Sequence, residues 1–422
     1  MSLEKILSEA EAARDEVVKL CSELIKFDSA HPEGRTDECV AYIQSYMDRH
    51  GVETEIHSRN PKKPNIVARI PGEAETKILW VGHLDVVPIG KPEEWSHPPY
   101  GGEVDGVYIY GRGASDMKGA CAAAMVAARL LNEMGCRNTV EFWFTADEEI
   151  GGGDGARWLA ESGRFKGDVC LIGDGTGGGL EHPAIDIGCK GSVPTKLIAR
   201  GKTAHGSTPF LGDNAIKKLM KAIPYVERIA EFRLSLPEEL EEPIRQSIEF
   251  IEATIKLTDE QREAVKRLYH YPTVSCNIIQ GGVKRNVVPD YAEAVFDIRL
   301  TPGSDPKAVK RRIEELVEEA AIPGVEVEVS APEQAGYYES PNTSFAKQLA
   351  ETIELVTGRR PIFKILTGGT DAISIERYAH IPCLGYGLSM VGEAHKPDEK
   401  NKIENLVLGV KVYTLFPLRY VA

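Results

Sequence analysis

The sequence predicts an α/β protein: a mixed sheet with flanking helices, interrupted by a second, inserted domain. Three observations carry this. Short apolar runs alternate with an Ala-rich helical stretch. Clusters of histidine and carboxylate side chains come directly after those runs. Near Lys190 the texture changes, and the elements beyond it fall in the order β-α-β-β-α-β, the split βαβ arrangement.

Taken in chain order, the opening residues to about Phe27 read as one amphipathic helix. Residues 77–82 (KILWVG) form a run short and apolar enough for a strand buried on both faces. Residues 139–145, 169–173 and 381–385 repeat that pattern, and the Ala-rich stretch 117–131 is a helix by propensity. In the insert, strands are expected at 192–200, 273–279, 291–300 and 325–329, with helices at 214–232 and 306–320. The charged stretch 237–269 reads as two exposed, solvated helices. The expected division is a catalytic, metal-binding domain of residues 1–189 and 333–422, its sheet resuming near Gln334, with 190–332 as the insert.

Composition narrows the function. The chain has 422 residues, 42% of them hydrophobic, which suffices for two cores. A net charge of −14 argues against nucleic acid or anionic membrane as the main partner. The eight cysteines are scattered with no C-x-x-C pair, so reduced, buried thiols are expected rather than a disulfide framework. No secretory signal and no membrane-length apolar run is visible, and a cytoplasmic protein is the expectation.

The chemistry lies just beyond each apolar run. After the first come His83 and Asp85, two apart and so on one side of an extended segment. After the second come Glu148 and Glu149, after the third Asp174, and after the fourth and a loop His395. Asp116 opens the Ala-rich helix. In an open α/β sheet ligands bind outside the carboxyl ends of the strands. Two histidines and several carboxylates without cysteine suit zinc, with manganese or cobalt as alternatives. Singly, each residue has a plain structural explanation: Asp116 as a helix N-cap, the acidic pair as a solvated loop. The joint pattern carries the reading. His31, His50, His57, His97, His182, His270 and His380 are assigned no role.

These residues stand in ordered motifs: GHLDVVP at 82–88, YGRGASDMKG at 110–119, ADEE at 146–149, GKTAHGSTP at 201–209, RNVVPD at 285–290, FDIR at 296–299, GGTDA at 368–372 and AHKPDE at 394–399. Over nearly its whole length the chain thereby resembles the two-zinc aminoacylase/carboxypeptidase family. That family includes acetylornithine deacetylase, succinyl-diaminopimelate desuccinylase, carnosinase and related di- and tripeptidases. The resemblance implies a zinc-peptidase-type catalytic domain with an inserted lid and dimerisation domain. It implies that His83 and Asp174 hold one metal, Glu149 and His395 the other, and that Asp116 bridges them, with a cis peptide to Met117. It further implies that Asp85 orients His83, that Glu148 is the general base, and that His205 reaches into a partner subunit's site. Arg299 and Asn286 would bind substrate, and the loop of Gly369 and Thr370 would line the same pocket.

The implied activity is hydrolysis of an amide or peptide bond in a small amino-acid derivative by a homodimer. Asp174 stands where the deacylases and carboxypeptidases of the family usually carry Glu, and where the carnosinase-like and tripeptidase members carry Asp. The 368–372 loop and its spacing to His395 look more like acetylornithine deacetylase. The expectation is therefore an exopeptidase, with an N-acyl-amino-acid deacylase as the alternative. Two rivals fare worse. A phosphate-binding loop ending at Gly201-Lys202-Thr203 would need glycine at 196, which is lysine, and Gly111-Arg112-Gly113 lacks a third glycine at 116. A catalytically silent binding paralogue would have lost a ligand or the base, and all six of those residues are intact.

Overall fold

The structure, a computed structural model, describes residues 2–175, 178–329 and 335–422. Among them the chain forms a nine-stranded mixed sheet, a five-stranded antiparallel sheet and a three-stranded one.

The nine-stranded sheet is built from its middle. Thr139–Thr145, Lys77–His83, Val169–Ile172 and Cys383–Gly385 lie side by side and parallel. All four were expected from their apolar character, because strands covered on both faces need no polar alternation. Being parallel, they end on one edge of the sheet. Strands not anticipated complete it: Glu53–His57 and Asn65–Ile70 on one side, and Ala184–Cys189, Tyr337–Tyr338 and Ile362–Leu366 on the other. Charged residues interrupt the longer of them (Glu53 and Glu55, Arg69, Asp186, Lys364), so no continuous apolar run marks them in the sequence.

The Ala-rich helix runs Lys118–Met134 and has thirteen buried residues. Its small side chains let it pack against the C-terminal helix Ile403–Arg419. At Gly409 of that helix a Cβ would stand 2.4 Å from Leu388 and 3.1 Å from the Ala123 methyl. The N-terminal segment is two helices, Leu3–Ala12 and Arg14–Lys26, rather than the expected one. The chain breaks at Ala13, and Asp15 and Glu16 sit favourably in the first turn of the second helix.

The second sheet has the order Thr273–Gly281, Tyr291–Leu300, Thr195–Arg200, Val325–Val329, with helices Ala215–Glu227 and Pro306–Glu319 packed on it. This is the ferredoxin-like arrangement expected of the insert. Ala184–Cys189 belongs to the first sheet, and Gly191–Ser192 already pairs with the second. The expected boundary at 332/333 and the resumption near Gln334 lie outside the described residues; Tyr337–Tyr338 is back in the first sheet. Seven of the eight cysteines are buried and all are free. No helix of the described residues is long and apolar enough to cross a membrane.

The charged stretch departs from expectation. Its second helix, Asp259–Arg267, buries no side chain, but the first, Glu241–Thr254, buries Pro243, Ile244, Ser247 and Phe250. That helix covers the edge strand Ile362–Leu366. Ser247 Oγ accepts the Ile365 N–H at 2.9 Å, Gln246 Oε1 accepts the Phe363 N–H at 2.8 Å, and Tyr269 donates to the Ile365 carbonyl at 2.8 Å. Side chains thus replace a missing neighbouring strand. High charge masked this in the sequence, because the apolar stripe is narrow.

Ser247→Ala leaves the buried Ile365 N–H without its acceptor. The expected cost is about 1–3 kcal/mol, read as a lower denaturant midpoint with an unchanged m-value.

Candidate metal centre and active site

The parallel strands deliver their trailing loops to one place. His83 ends its strand and is buried; its Nδ1 faces the main-chain carbonyl of Asp85 at 2.9 Å, and its Nε2 lies 3.2 Å from Asp116 Oδ1. The Asp85 carboxylate, expected to orient His83, stands 3.6 Å from Nδ1. The orienting contact is therefore made by Asp85's backbone. Its carboxylate does something else: Oδ1 accepts the Glu148 N–H and Oδ2 the Glu149 N–H, both at 3.1 Å. It also accepts from His31 Nε2 at 2.9 Å. Burial pushes the Asp85 pKa up most strongly, yet the His31 hydrogen bond and the His83 charge hold it below the usual carboxylate value.

Asp116 precedes the Ala-rich helix, and its peptide bond to Met117 is cis. A second buried carboxylate secures that loop. Glu399 Oε1 accepts the N–H groups of Gly113, Ser115 and Asp116 at 2.9–3.1 Å, and Glu399 is ion-paired with the buried Arg112.

Glu148 and Glu149 form a single 3-10 turn after Thr145, entered through Asp147 in the left-handed region (φ +70°). Lys63 pairs with Asp147 at 2.5 Å and steadies the turn. Asp174 comes two residues after its strand, and its loop packs so closely that a Cβ on Gly387 would lie 2.3 Å from the Gly175 carbonyl oxygen. His395 comes from a loop at φ +66°, half exposed, with Nε2 3.1 Å from Asp116 Oδ2 and 3.3 Å from Glu149 Oε1.

Two sets of three ligand atoms result, each within 4.8 Å of one another: His83, Asp116 and Asp174, and Asp116, Glu149 and His395. Asp116 belongs to both and offers each set a different oxygen. These side chains fit a pair of divalent cations. The donors are imidazole nitrogen and carboxylate oxygen, and the buried Glu149 Oε1 has as its near polar neighbour only another candidate ligand, His395 Nε2 at 3.3 Å, among the described residues. In the polypeptide alone the carboxylates oppose one another. Burial chiefly, then the Asp116 charge, pushes Asp174 up to about 7. Burial, with Asp371, Asp174 and Glu149 nearby, pushes Glu148 well above the usual range. Asp116 is held below it despite burial, by hydrogen bonds from His395 and His83.

The centre opens into a cleft of about 720 Å³ between the two sheets. Glu148, Glu149 and His395 line it together with Arg299, Gly369 and Thr370. Arg299 comes from the second sheet and pairs with Asp297 at 2.7 Å. His205 and Asn286 do not line the cleft. Both are exposed, and they share a loop cluster, with the Gly206 N–H bonded to the Asn286 carbonyl at 2.8 Å. Asn286 thus groups with His205 rather than with Arg299.

Three residues escaped the sequence reading. His31 lies 54 positions from Asp85, and nothing local marks it. Asp371, within the 368–372 motif, lines the cleft and accepts from Thr145 Oγ1 at 3.1 Å; burial chiefly raises it to about 7. Lys190, at the crossing between the sheets, lines the cleft beside Arg299. Burial, then the Arg299 charge, lowers it to about 7.

A family model described as peptidase family M20/M25/M40 matches residues 79–419. Succinyl-diaminopimelate desuccinylase of Methylocella silvestris is 30% identical over 409 residues, which cover 94% of this chain and 96% of that protein. Among solved structures, the M20 family metallo-carboxypeptidase Sso-CP2 from Sulfolobus solfataricus superposes with a TM-score of 0.79 at 24% identity, covering 96% of this chain and 98% of that one. Human carnosine dipeptidase 1 does so with a TM-score of 0.74 at 22% identity, covering 99% and 98%. At these identities the structures establish the fold.

Because Asp116 serves both sets, Asp116→Ala is expected to release both metals, while Asp174→Ala releases one. Elemental analysis of the dialysed proteins measures the ratio, and equal losses in the two variants would contradict a shared ligand.

Proposed function

The chain belongs to peptidase family M20/M25/M40 and is a metallohydrolase of amide or peptide bonds, and from that premise we propose that it is an exopeptidase acting on short peptides with a free carboxylate. The observation that carries the proposal is the pair of ligand sets sharing Asp116, opening into a cleft lined by both Glu148 and Arg299. His83 and Asp174 would hold one divalent ion and Glu149 and His395 the other, with Asp116 shared between the two sets. The donor set suits zinc, with manganese or cobalt as alternatives.

When bound, two such ions acidify a water and polarise the scissile carbonyl. The chain supplies the rest. Glu148 takes the proton of the attacking water and delivers it to the leaving nitrogen; its neighbour Glu149 is committed as a ligand, which leaves Glu148 free for this. The guanidinium of Arg299 receives the substrate carboxylate in a planar fork, and Gly369 and Thr370 shape the wall beside it. Asp174 in place of Glu supports the peptidase choice. A second reading, deacylation of an N-acyl amino acid, is supported by the identity to succinyl-diaminopimelate desuccinylase.

The working unit is a homodimer in this proposal. His205 is exposed in its own chain and free to donate a hydrogen bond to the developing oxyanion in a partner's site, and Asn286 travels with it. The second sheet offers a surface for pairing. Its edge strand Thr273–Gly281 exposes Ile278 and Ile279, and Val283 just beyond it is 93% exposed.

Glu148→Ala is expected to keep its metal and lose roughly 10²–10⁴-fold in kcat; wild-type turnover in that variant would remove Glu148 as the base. On a panel of dipeptides and N-acyl amino acids, chelator-sensitive turnover of dipeptides supports the exopeptidase. Turnover confined to acyl amino acids assigns the deacylase instead.

A further inference from the structure

The Asp85 carboxylate is fully buried and makes three hydrogen bonds at 2.9–3.1 Å. Two come from the main chain of Glu148 and Glu149, and one from His31. His31 is the only side chain among the described residues within hydrogen-bond distance of that carboxylate. An ionised carboxylate only accepts, so His31 carries its proton on Nε2. Its Nδ1 meets no partner among the described residues, so the bond to Asp85 is the ring's single polar contact.

The ring is also held in place. Ala30 bridges to Val86, the His31 N–H donates to the Val86 carbonyl at 3.2 Å, and Ser29 Oγ donates to the Leu84 carbonyl at 2.7 Å. Gly34 folds against the ring so tightly that a Cβ there would lie 2.5 Å from Cε1. Residues 29–34 thus build a seat that aims one imidazole N–H at Asp85.

We propose that His31 is a positioning residue for hydrolysis, fixing through the Asp85 carboxylate the main chain that carries Glu148 and Glu149. Without His31, the buried carboxylate keeps only main-chain donors, and its nearest alternative is His83 Nδ1, 3.6 Å away. Turning toward that ring lengthens the bonds to the Glu148 and Glu149 N–H groups and displaces the base from the attacking water. A displacement of that size costs turnover, because proton transfer demands geometry to within a fraction of an ångström. The inference rests on Glu148 as the base.

The test compares His31→Gln, whose amide can donate from nearly the position of Nε2, with His31→Leu, which cannot donate. His31→Leu is expected to lower kcat about 10- to 100-fold, with KM and bound metal within about twofold of wild type and unfolding still cooperative. His31→Gln is expected to recover most of kcat. If His31→Leu does not fold, His31→Asn, too short to reach Asp85, takes its place. In an Asp85→Asn background the His31 substitution is expected to add little further loss. Wild-type kcat in His31→Leu overturns the proposal, as do equal losses in Gln and Leu variants or a loss that simply tracks missing metal. Those results would leave Glu148 as the base, which Glu148→Ala tests separately.

Discussion

The structure depends on holding several carboxylates together at one edge of a sheet. Asp116, Glu149 and Asp174 meet within ligand distance of two histidines, and Glu148 and Asp371 lie beside them. Two like charges about 4 Å apart repel by roughly 4 kcal/mol at the effective dielectric of a protein near its surface, more than one hydrogen bond returns. The loops are therefore tied from behind. Two buried carboxylates outside the ligand sets do this: Asp85 gathers the turn of Glu148 and Glu149, and Glu399 gathers the loop of Asp116. Each in turn has a dedicated partner, His31 for one and Arg112 for the other.

This arrangement explains why metal chemistry suits the centre. Burial raises Asp174 and Glu148, while the two histidines lower Asp116. A group of positive charge relieves the first two and complements the third. The parallel strands supply the geometry. Because they run the same way, His83, Glu149 and Asp174 leave the sheet on one edge, and only Asp116 and His395 must be brought in by loops.

The two sheets are not joined by a bare hinge. The helix Glu241–Thr254 and the residues after it bond to Ile362–Leu366, the strand that leads into the Gly369–Thr370 wall. Lys190 donates to the Leu268 carbonyl at 2.5 Å and borders the cleft next to Arg299. A segment outside the ferredoxin-like unit thus connects the insert to the cleft wall.

The sequence by itself determined the elements whose signal is local. The apolar runs at 77–82 and 139–145, the Ala-rich helix and the order of the insert are legible because strand and helix periodicity acts over a few residues. Of the candidate ligands, His83, Glu149 and Asp174 are legible because each stands at or a few residues beyond the end of its strand, and Asp116 because it opens the Ala-rich helix. Only the tertiary structure decided the rest. His31 meets Asp85 across 54 positions, and a solitary histidine in a loop has no local mark of its partner. It decided that Asp85 anchors Glu148 and Glu149 while its backbone orients His83, a difference of 0.7 Å between two oxygens of one residue. It separated Asn286 from Arg299 and sent it to His205, and it turned a charged, apparently solvated helix into the cover of a sheet edge. Hydrogen-bond partners are fixed by packing between distant segments, and that packing is written in no single stretch of the chain.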